Sequence, residues 1–182
     1  MSRIMEHAFM YHTSLFTPEE CEIIKKTAGE SYEHSMVGNE GGLREEAQRS
    51  SNNLWFDFSL ELPELYQKFW NRVQFLNNVG FGIAITGMGE LTQMTLYNEG
   101  EFYRKHIDTM AGNLCVRKLS AVVQLTDPSE YEGGELRVKG HPTPKEQGSL
   151  VIFPSINEHE VLPVIKGNRY SMVNWVTGPD WR

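Results

Sequence analysis

Residues 119–138 read LSAVVQLTDPSEYEGGELRV. Leu119–Leu125 is a short, mostly apolar run, Asp127-Pro128 and Glu132-Gly133-Gly134 carry turn chemistry, and Gly134–Val138 alternates charged Glu135 and Arg137 with apolar Leu136 and Val138. An apolar run of this length bounded by Asp, Pro and Gly reads as a buried strand, a turn and a second strand. The same pattern continues outward in both directions. Leu91–Tyr97, Ser149–Phe153, Glu160–Val164 and Tyr170–Val176 are further strand signals, separated by Asn98-Glu99-Gly100, Gln147-Gly148 and Lys166-Gly167-Asn168. Many short strands at such spacing predict a sandwich or a jelly roll.

The first half of the chain reads differently. Thr17-Pro18-Glu19-Glu20 is a helix start, with Thr17 as N-cap, Pro18 at the first helical position and Glu20 completing a capping box. The helix is expected to run to about Ala28, with Cys21, Ile23 and Ile24 facing inward. From Pro63 to about Asn78, Leu65, Phe69, Val73 and Leu76 recur with a helical period. Leu54 to Phe58 reads as an aromatic strand, and Ser35 to Gln48 as a polar, glycine-containing mobile loop. Two helices ahead of the strands would cover one outer face of a sheet. The expected class is therefore mainly β with supporting helices (α+β). A single domain is expected over 1–182, with helical support over about 1–80 and the β core over about 81–178.

Composition narrows the function classes. The 182 residues are 40% hydrophobic and 23% charged, ordinary for a globular protein. Seventeen Lys and Arg against 24 Asp and Glu give a formal charge of −7, which speaks against a protein that coats nucleic acid. Cys21 and Cys115 stand far apart and outside any CxxC spacing, so both are expected to be small buried hydrophobes. No stretch approaches a membrane span and the N-terminus lacks an apolar signal core, so the expectation is no membrane association and a cytoplasmic location.

The chemistry concentrates in the β half. His106-Ile107-Asp108 places an imidazole and a carboxylate at i and i+2, on one face if the segment is a strand. His159 follows the apolar run Ser149–Phe153 and the Pro154-Ser155 turn. Two histidines and one carboxylate form the facial set that holds non-haem Fe(II) while leaving positions open. A bare His-x-Asp is a weak signal, and Arg169 sharpens it. The Lys166-Gly167-Asn168 turn reads as a hairpin that returns Arg169 to the interior, and an interior Arg requires an anion. A guanidinium fork suits the distal carboxylate of 2-oxoglutarate, with Ser171, two residues on, as an added hydroxyl donor. His7, His12, His34 and His141 have no partner spacing and read as surface residues.

The run Leu96-Tyr97-Asn98-Glu99-Gly100-Glu101-Phe102-Tyr103-Arg104-Lys105-His106-Ile107-Asp108 resembles the prolyl 4-hydroxylase branch of the Fe(II)/2-oxoglutarate oxygenases. Arg49-Ser50-Ser51-Asn52-Asn53-Leu54-Trp55-Phe56, Tyr131-Glu132-Gly133-Gly134-Glu135-Leu136, Gly148 to Ser155 and Trp175 share in the likeness, which spans nearly the whole chain. The resemblance implies a double-stranded β-helix, a cupin-like jelly roll. It implies Fe(II) on His106, Asp108 and His159, and 2-oxoglutarate on Arg169, Ser171 and Tyr97. O2 would be the co-reactant, and ascorbate is a candidate reductant. Tyr103, Trp175 and Arg49 would contact substrate, and the loop over 35–48 falls where prolyl hydroxylases fold a segment over a peptide.

Collagen-type members often carry Lys in place of Arg169, whereas oxygen-sensing and small PKHD-type members carry Arg. That departure bears on substrate and leaves cosubstrate binding intact. The retained Asp108 disfavours halogenation, since related halogenases have a small non-ligand residue there. Nucleic-acid demethylases of the AlkB type have a further Arg where this chain has Trp175. The implied reaction is hydroxylation with release of succinate and CO2, on a prolyl residue of a peptide or protein. A free amino acid or other small molecule is the alternative substrate. A catalytically silent binding domain on the same fold is the alternative from another class.

Overall fold

The computed structural model describes residues 7–35, 48–109 and 116–179. The loop expected between Ser35 and Gln48 therefore lies, apart from its two ends, outside the described residues, as does Cys115.

The largest sheet has eight strands, all paired antiparallel. Its order is β1 (Met10–His12), β12 (Leu150–Pro154), β8 (Arg117–Gln124), β15 (Arg169–Thr177), β6 (Thr92–Tyr97), β4 (Asn52–Phe56) and β2 (Glu33–His34). The eighth, β5 (Gly87–Met88), pairs beside the end of β15. A second sheet runs β11 (His141–Pro142), β10 (Leu136–Val138), β13 (His159–Val161), β7 (Phe102–His106) and β3 (Arg49–Ser50). A two-stranded pair joins β9 (Tyr131–Gly133) to β14 (Val164–Gly167). From β6 onward the chain passes back and forth between the sheets, with β6, β8, β12 and β15 in the large one and β7, β10, β11 and β13 in the second, the pattern of a double-stranded β-helix.

Period-two alternation decides which residues face the site. On β8, Leu119, Ala121 and Val123 turn to the outer core, while Ser120, Val122 and Gln124 turn inward. On β12 the split is Leu150 and Ile152 against Val151 and Phe153. On β15, Met172 and Val176 face outward, and Arg169, Ser171, Val173 and Trp175 face the interior. The central strands of this sheet, β6, β8, β12 and β15, are buried on both faces, with apolar residues toward the helices and a partly polar stripe toward the interior. The inner core closes between the sheets through Tyr97, Val122, Val151 and Phe153 on one side and Leu136, Val138 and Val161 on the other.

The outer face is covered by helices, as the sequence predicts. Helix α1 (Pro18–Ala28) starts with the expected capping box: Glu20 N–H donates to Thr17 Oγ1 at 3.2 Å, and Thr17 N–H donates to Glu20 Oε2 at 2.8 Å. After the short α2 (Phe58–Glu61), helix α3 (Pro63–Gly80) buries Phe69, Val73 and Leu76. Phe58 meets Phe16, Tyr66 and Phe69 edge-on, at ring-centroid distances of 5.8–6.4 Å. Ile23, expected inward, is 48% exposed, because the docked stripe of α1 is carried by Cys21 and Ile24, with Ala28 packed beside them. The strand at Leu54 starts two residues earlier than expected and ends at Phe56. Asp57 stops it by accepting from Leu60 N–H and capping α2.

The Lys166-Gly167-Asn168 turn does not make the predicted hairpin. β14 pairs with β9 and β15 enters the large sheet, so the turn is a crossing between sheets. It still delivers Arg169 to the interior.

Burial pushes the Cys21 thiol up to about 12. Iodoacetamide at pH 8 is therefore expected to leave Cys21 unmodified in the folded protein and to alkylate it in denaturant, as read by peptide mass mapping. Fast native labelling would mean that α1 is not docked as described.

Candidate metal centre

β7 and β13 are antiparallel neighbours, and their register sets His106 directly opposite His159. Asp108 comes from just beyond β7 rather than from the strand itself, a departure from the same-face strand geometry expected for His-x-Asp. Its backbone N–H donates to Ser155 O at 3.0 Å, which holds the carboxylate between the two imidazoles. His106 Nε2 lies 3.5 Å from Asp108 Oδ1, and His159 Nε2 lies 3.4 Å from Oδ2. One ligand atom from each of the three falls within 4.8 Å of the others.

Each imidazole is oriented by the same device. His106 Nδ1 bonds Arg104 O at 2.8 Å and His159 Nδ1 bonds Asn157 O at 3.0 Å, both two residues upstream. A proton on Nδ1 leaves the Nε2 lone pair free for a cation, the second-sphere arrangement common to metal-binding histidines. Asp108 is held by Ser120, whose Oγ donates to Oδ2 at 2.5 Å and contacts Ser155 Oγ at 3.1 Å. Tyr103 stacks on His106 with ring centroids 3.5 Å apart, and Phe153 packs against His159.

The electrostatics suit ligation. Burial pushes the Asp108 carboxyl up, but the imidazoles of His159 and His106 outweigh it and hold the group well below the usual carboxylate range. Burial lowers His106. For His159 the desolvation is overcome by Asp108, so its pKa is raised. An ionised carboxylate and a neutral imidazole are the protonation states that a divalent ion requires, and a cation would take the place of the proton that Asp108 favours on His159. The donor set of two nitrogens and one carboxylate fits Fe(II).

Beside the triad lies a cavity of about 290 Å³. Arg169 is the largest fully buried side chain on its wall, 1% exposed. Its Nη2 donates to Gln124 Oε1 at 2.7 Å and its Nη1 to Ser171 Oγ at 3.4 Å, while Nε has no partner. Among the described residues no carboxylate pairs with it. A buried guanidinium held by neutral groups, with an orphaned donor, fits a ligand carboxylate. Gly134 makes room for it: at φ +58° it lies so close that a Cβ would stand 2.9 Å from Arg169 Cδ.

The other sequence-predicted residues gather round the same cavity. Tyr97 pairs with Arg169 across β6 and β15, its ring 5.4 Å from the guanidinium carbon. Burial raises the Tyr97 hydroxyl and takes that of Tyr103 up to about 12, so both remain protonated donors at neutral pH. Ser171, Tyr103, Arg49 and Trp175 also line the wall.

Sequence reasoning missed Ser120, Gln124, Thr95, Arg117 and Trp55. Arg117 forms a two-pronged ion pair with Glu90 and lies 3.8 Å over the Trp175 ring, which in turn meets Trp55 at 5.9 Å. Ser120 and Gln124 could have been found as polar residues at alternate positions of an otherwise apolar strand. Ser120→Ala removes one hydrogen bond from the ligand carboxylate. It is expected to weaken divalent-metal affinity by about tenfold, at the low end of second-sphere effects, measured by calorimetric titration.

A double-stranded β-helix with a His-Asp-His set at its centre, and beside it a buried arginine with no carboxylate partner among the described residues, fits a class of protein that binds iron and a 2-oxo acid. Residues 92–177 match the family model of the 2OG-Fe(II) oxygenase superfamily, and the chain is similar to PKHD-type hydroxylases. A PKHD-type hydroxylase of Gloeothece citriformis is 38% identical over 86 residues, which is 44% of this chain and 39% of that protein. One from Methylobacterium nodulans is 27% identical over 145 residues, 72% of this chain and 62% of that protein. The matches thus span about two fifths to three fifths of these relatives' length.

Among solved structures, a Pseudomonas putida prolyl-4-hydroxylase superposes with a TM-score of 0.68 at 23% identity, covering 96% of this chain and 94% of that one. A viral collagen prolyl hydroxylase from Paramecium bursaria Chlorella virus-1, solved with 2OG, gives 0.72 at 19% identity over 96% and 98%. At such identities the likeness is one of fold. No helix among the described residues is long and apolar enough to cross a membrane.

Proposed function

We propose that the protein is an Fe(II)- and 2-oxoglutarate-dependent dioxygenase that hydroxylates a prolyl residue, with release of succinate and CO2. The observation that carries the chemistry is the combination, in one cavity, of a His-Asp-His ligand set with a buried arginine that has no carboxylate partner among the described residues. The prolyl assignment rests on the branch resemblance. A solved neighbour from Trichoplax adhaerens, a prolyl hydroxylase in complex with a peptide fragment, has a TM-score of 0.67 at 17% identity.

His106, Asp108 and His159 would hold the iron, which supplies Lewis-acid binding of the 2-oxo acid and electron transfer with O2. The rest is done by the chain. Arg169 and Ser171 anchor the far carboxylate, and Gln124 keeps the guanidinium in plane. Tyr97 offers a protonated hydroxyl to the same region. Val122, Leu136, Val161 and Val173 keep the inner wall apolar, which limits water around a reactive centre. Trp175 and Tyr103 line the cavity wall, where they would flank a bound substrate.

The test is incubation of purified protein with Fe(II), 2-oxoglutarate and proline-containing peptides. Succinate and a product heavier by one oxygen atom are expected together. Metal binding without succinate, for any substrate class, would leave only a binding domain on this fold.

A further inference from the structure

A second buried arginine faces the cavity with no carboxylate partner among the described residues. Arg49, on β3, is 8% exposed. Its Nε donates to Ser51 Oγ at 2.6 Å and its Nη2 to Asn53 Oδ1 at 2.8 Å, while Nη1 donates to no described residue. The guanidinium carbon lies 4.6 Å from the Tyr103 ring centroid, and Tyr103 stacks on His106 at 3.5 Å with planes 14° apart. Arg49 therefore stands one aromatic layer from the metal centre, fixed in orientation by neutral partners that leave its charge unanswered.

The charges around the cavity show what is missing. Arg117 is satisfied by both oxygens of Glu90. A divalent ion would be balanced in part by Asp108, and the two carboxylates of 2-oxoglutarate would balance the remainder and Arg169. Among the described charged residues that line the cavity, Arg49 is then the one left over. The chain carries −7 overall, so this cation runs against the protein's general sign and is not a by-product of a basic composition. Keeping a buried cation that has only neutral partners is unfavourable unless an anion arrives to meet it.

We propose that the substrate presents a carboxylate to Arg49, close to the carbon that is hydroxylated. This rests on the hydroxylase reading above. For a prolyl substrate, the group is the free carboxylate of proline itself or of a C-terminal proline. A mid-chain prolyl residue has an amide there and offers Arg49 nothing ionic.

The test is calorimetric titration of the anaerobic protein loaded with Fe(II) and 2-oxoglutarate. The probes are L-proline, L-prolinamide, Ala-Ala-Pro with a free C-terminus, and the same tripeptide as its amide. At least one acid is expected to bind tenfold or more tightly than its own amide, and comparison of the two acids separates a free amino acid from a chain end. Arg49→Met should erase the preference, Arg49→Lys should retain part of it, and both should keep the wild-type affinity for 2-oxoglutarate. Equal binding of acid and amide, no binding of any probe, or a preference that survives in Arg49→Met overturns the assignment. If succinate forms regardless, the hydroxylase reading stands without it. A protein that neither binds 2-oxoglutarate nor forms succinate removes that reading instead.

Discussion

Asp108→Ala is expected to abolish stoichiometric Fe(II) binding and, with it, succinate formation. Asp108 is the sole carboxylate of the donor set, so its removal leaves two imidazoles and no anionic ligand for a hard divalent ion. The loss should exceed the roughly 10- to 100-fold produced by altering second-sphere partners, the class to which Ser120→Ala belongs. The fold should survive. Asp108 lies outside the strands, and the bond that pins its segment is made by its backbone to Ser155. The circular dichroism spectrum should therefore match wild type while metal titration shows no saturable site. His106→Ala should fail in the same way, with an added consequence, since Tyr103 and through it Arg49 lose the ring they stack on. A variant lacking the Asp108 carboxylate that still binds one equivalent of iron tightly would remove the triad from the account.

The three triad residues were legible because their chemistry is unusual in that spacing, although the strand geometry first assigned to Asp108 was not what the chain does. Arg169 was legible because a positively charged residue opening an apolar strand demands an explanation. The crossing turn before it was misread because a Lys-Gly-Asn tripeptide serves a hairpin and an inter-sheet crossing equally well. Only long-range pairing, β14 with β9, separates them. Two-residue strands such as β3 and β11 carry too little pattern to be seen in one dimension. The same limit hid the pairing of β3 with β7, which sets Arg49 opposite Tyr103. Ser120 and Gln124 were overlooked for another reason. An apolar run with isolated polar residues is usually read for its apolar members, whereas in a sheet covered on both faces the exceptions mark the inner wall.

Arg169→Met is expected to raise the 2-oxoglutarate concentration needed for half-saturation by about 100-fold or more, while leaving Fe(II) binding in place. Removing one partner of a buried, charge-assisted pair typically costs about 2–5 kcal/mol of binding, and each 1.4 kcal/mol is about a factor of ten. The stability of the unliganded protein should respond quite differently. In the absence of an anion, Arg169 is a buried cation with an orphaned Nε and only neutral partners, so its loss relieves a desolvation penalty. Against this stand a small void and the unpaired Gln124 carbonyl. The two effects oppose, and the unfolding midpoint of the variant without ligand is expected to stay near that of wild type. Added 2-oxoglutarate separates the proteins. At about 100 times its dissociation constant a ligand that binds only the folded state stabilises it by about 2.7 kcal/mol. Wild type loaded with metal should therefore melt several degrees higher, and Arg169→Met should show almost no rise at the same concentration. If the variant melts far below wild type even without ligand, Arg169 is a structural arginine. If its 2-oxoglutarate-dependent rise persists, the cosubstrate carboxylate is anchored elsewhere.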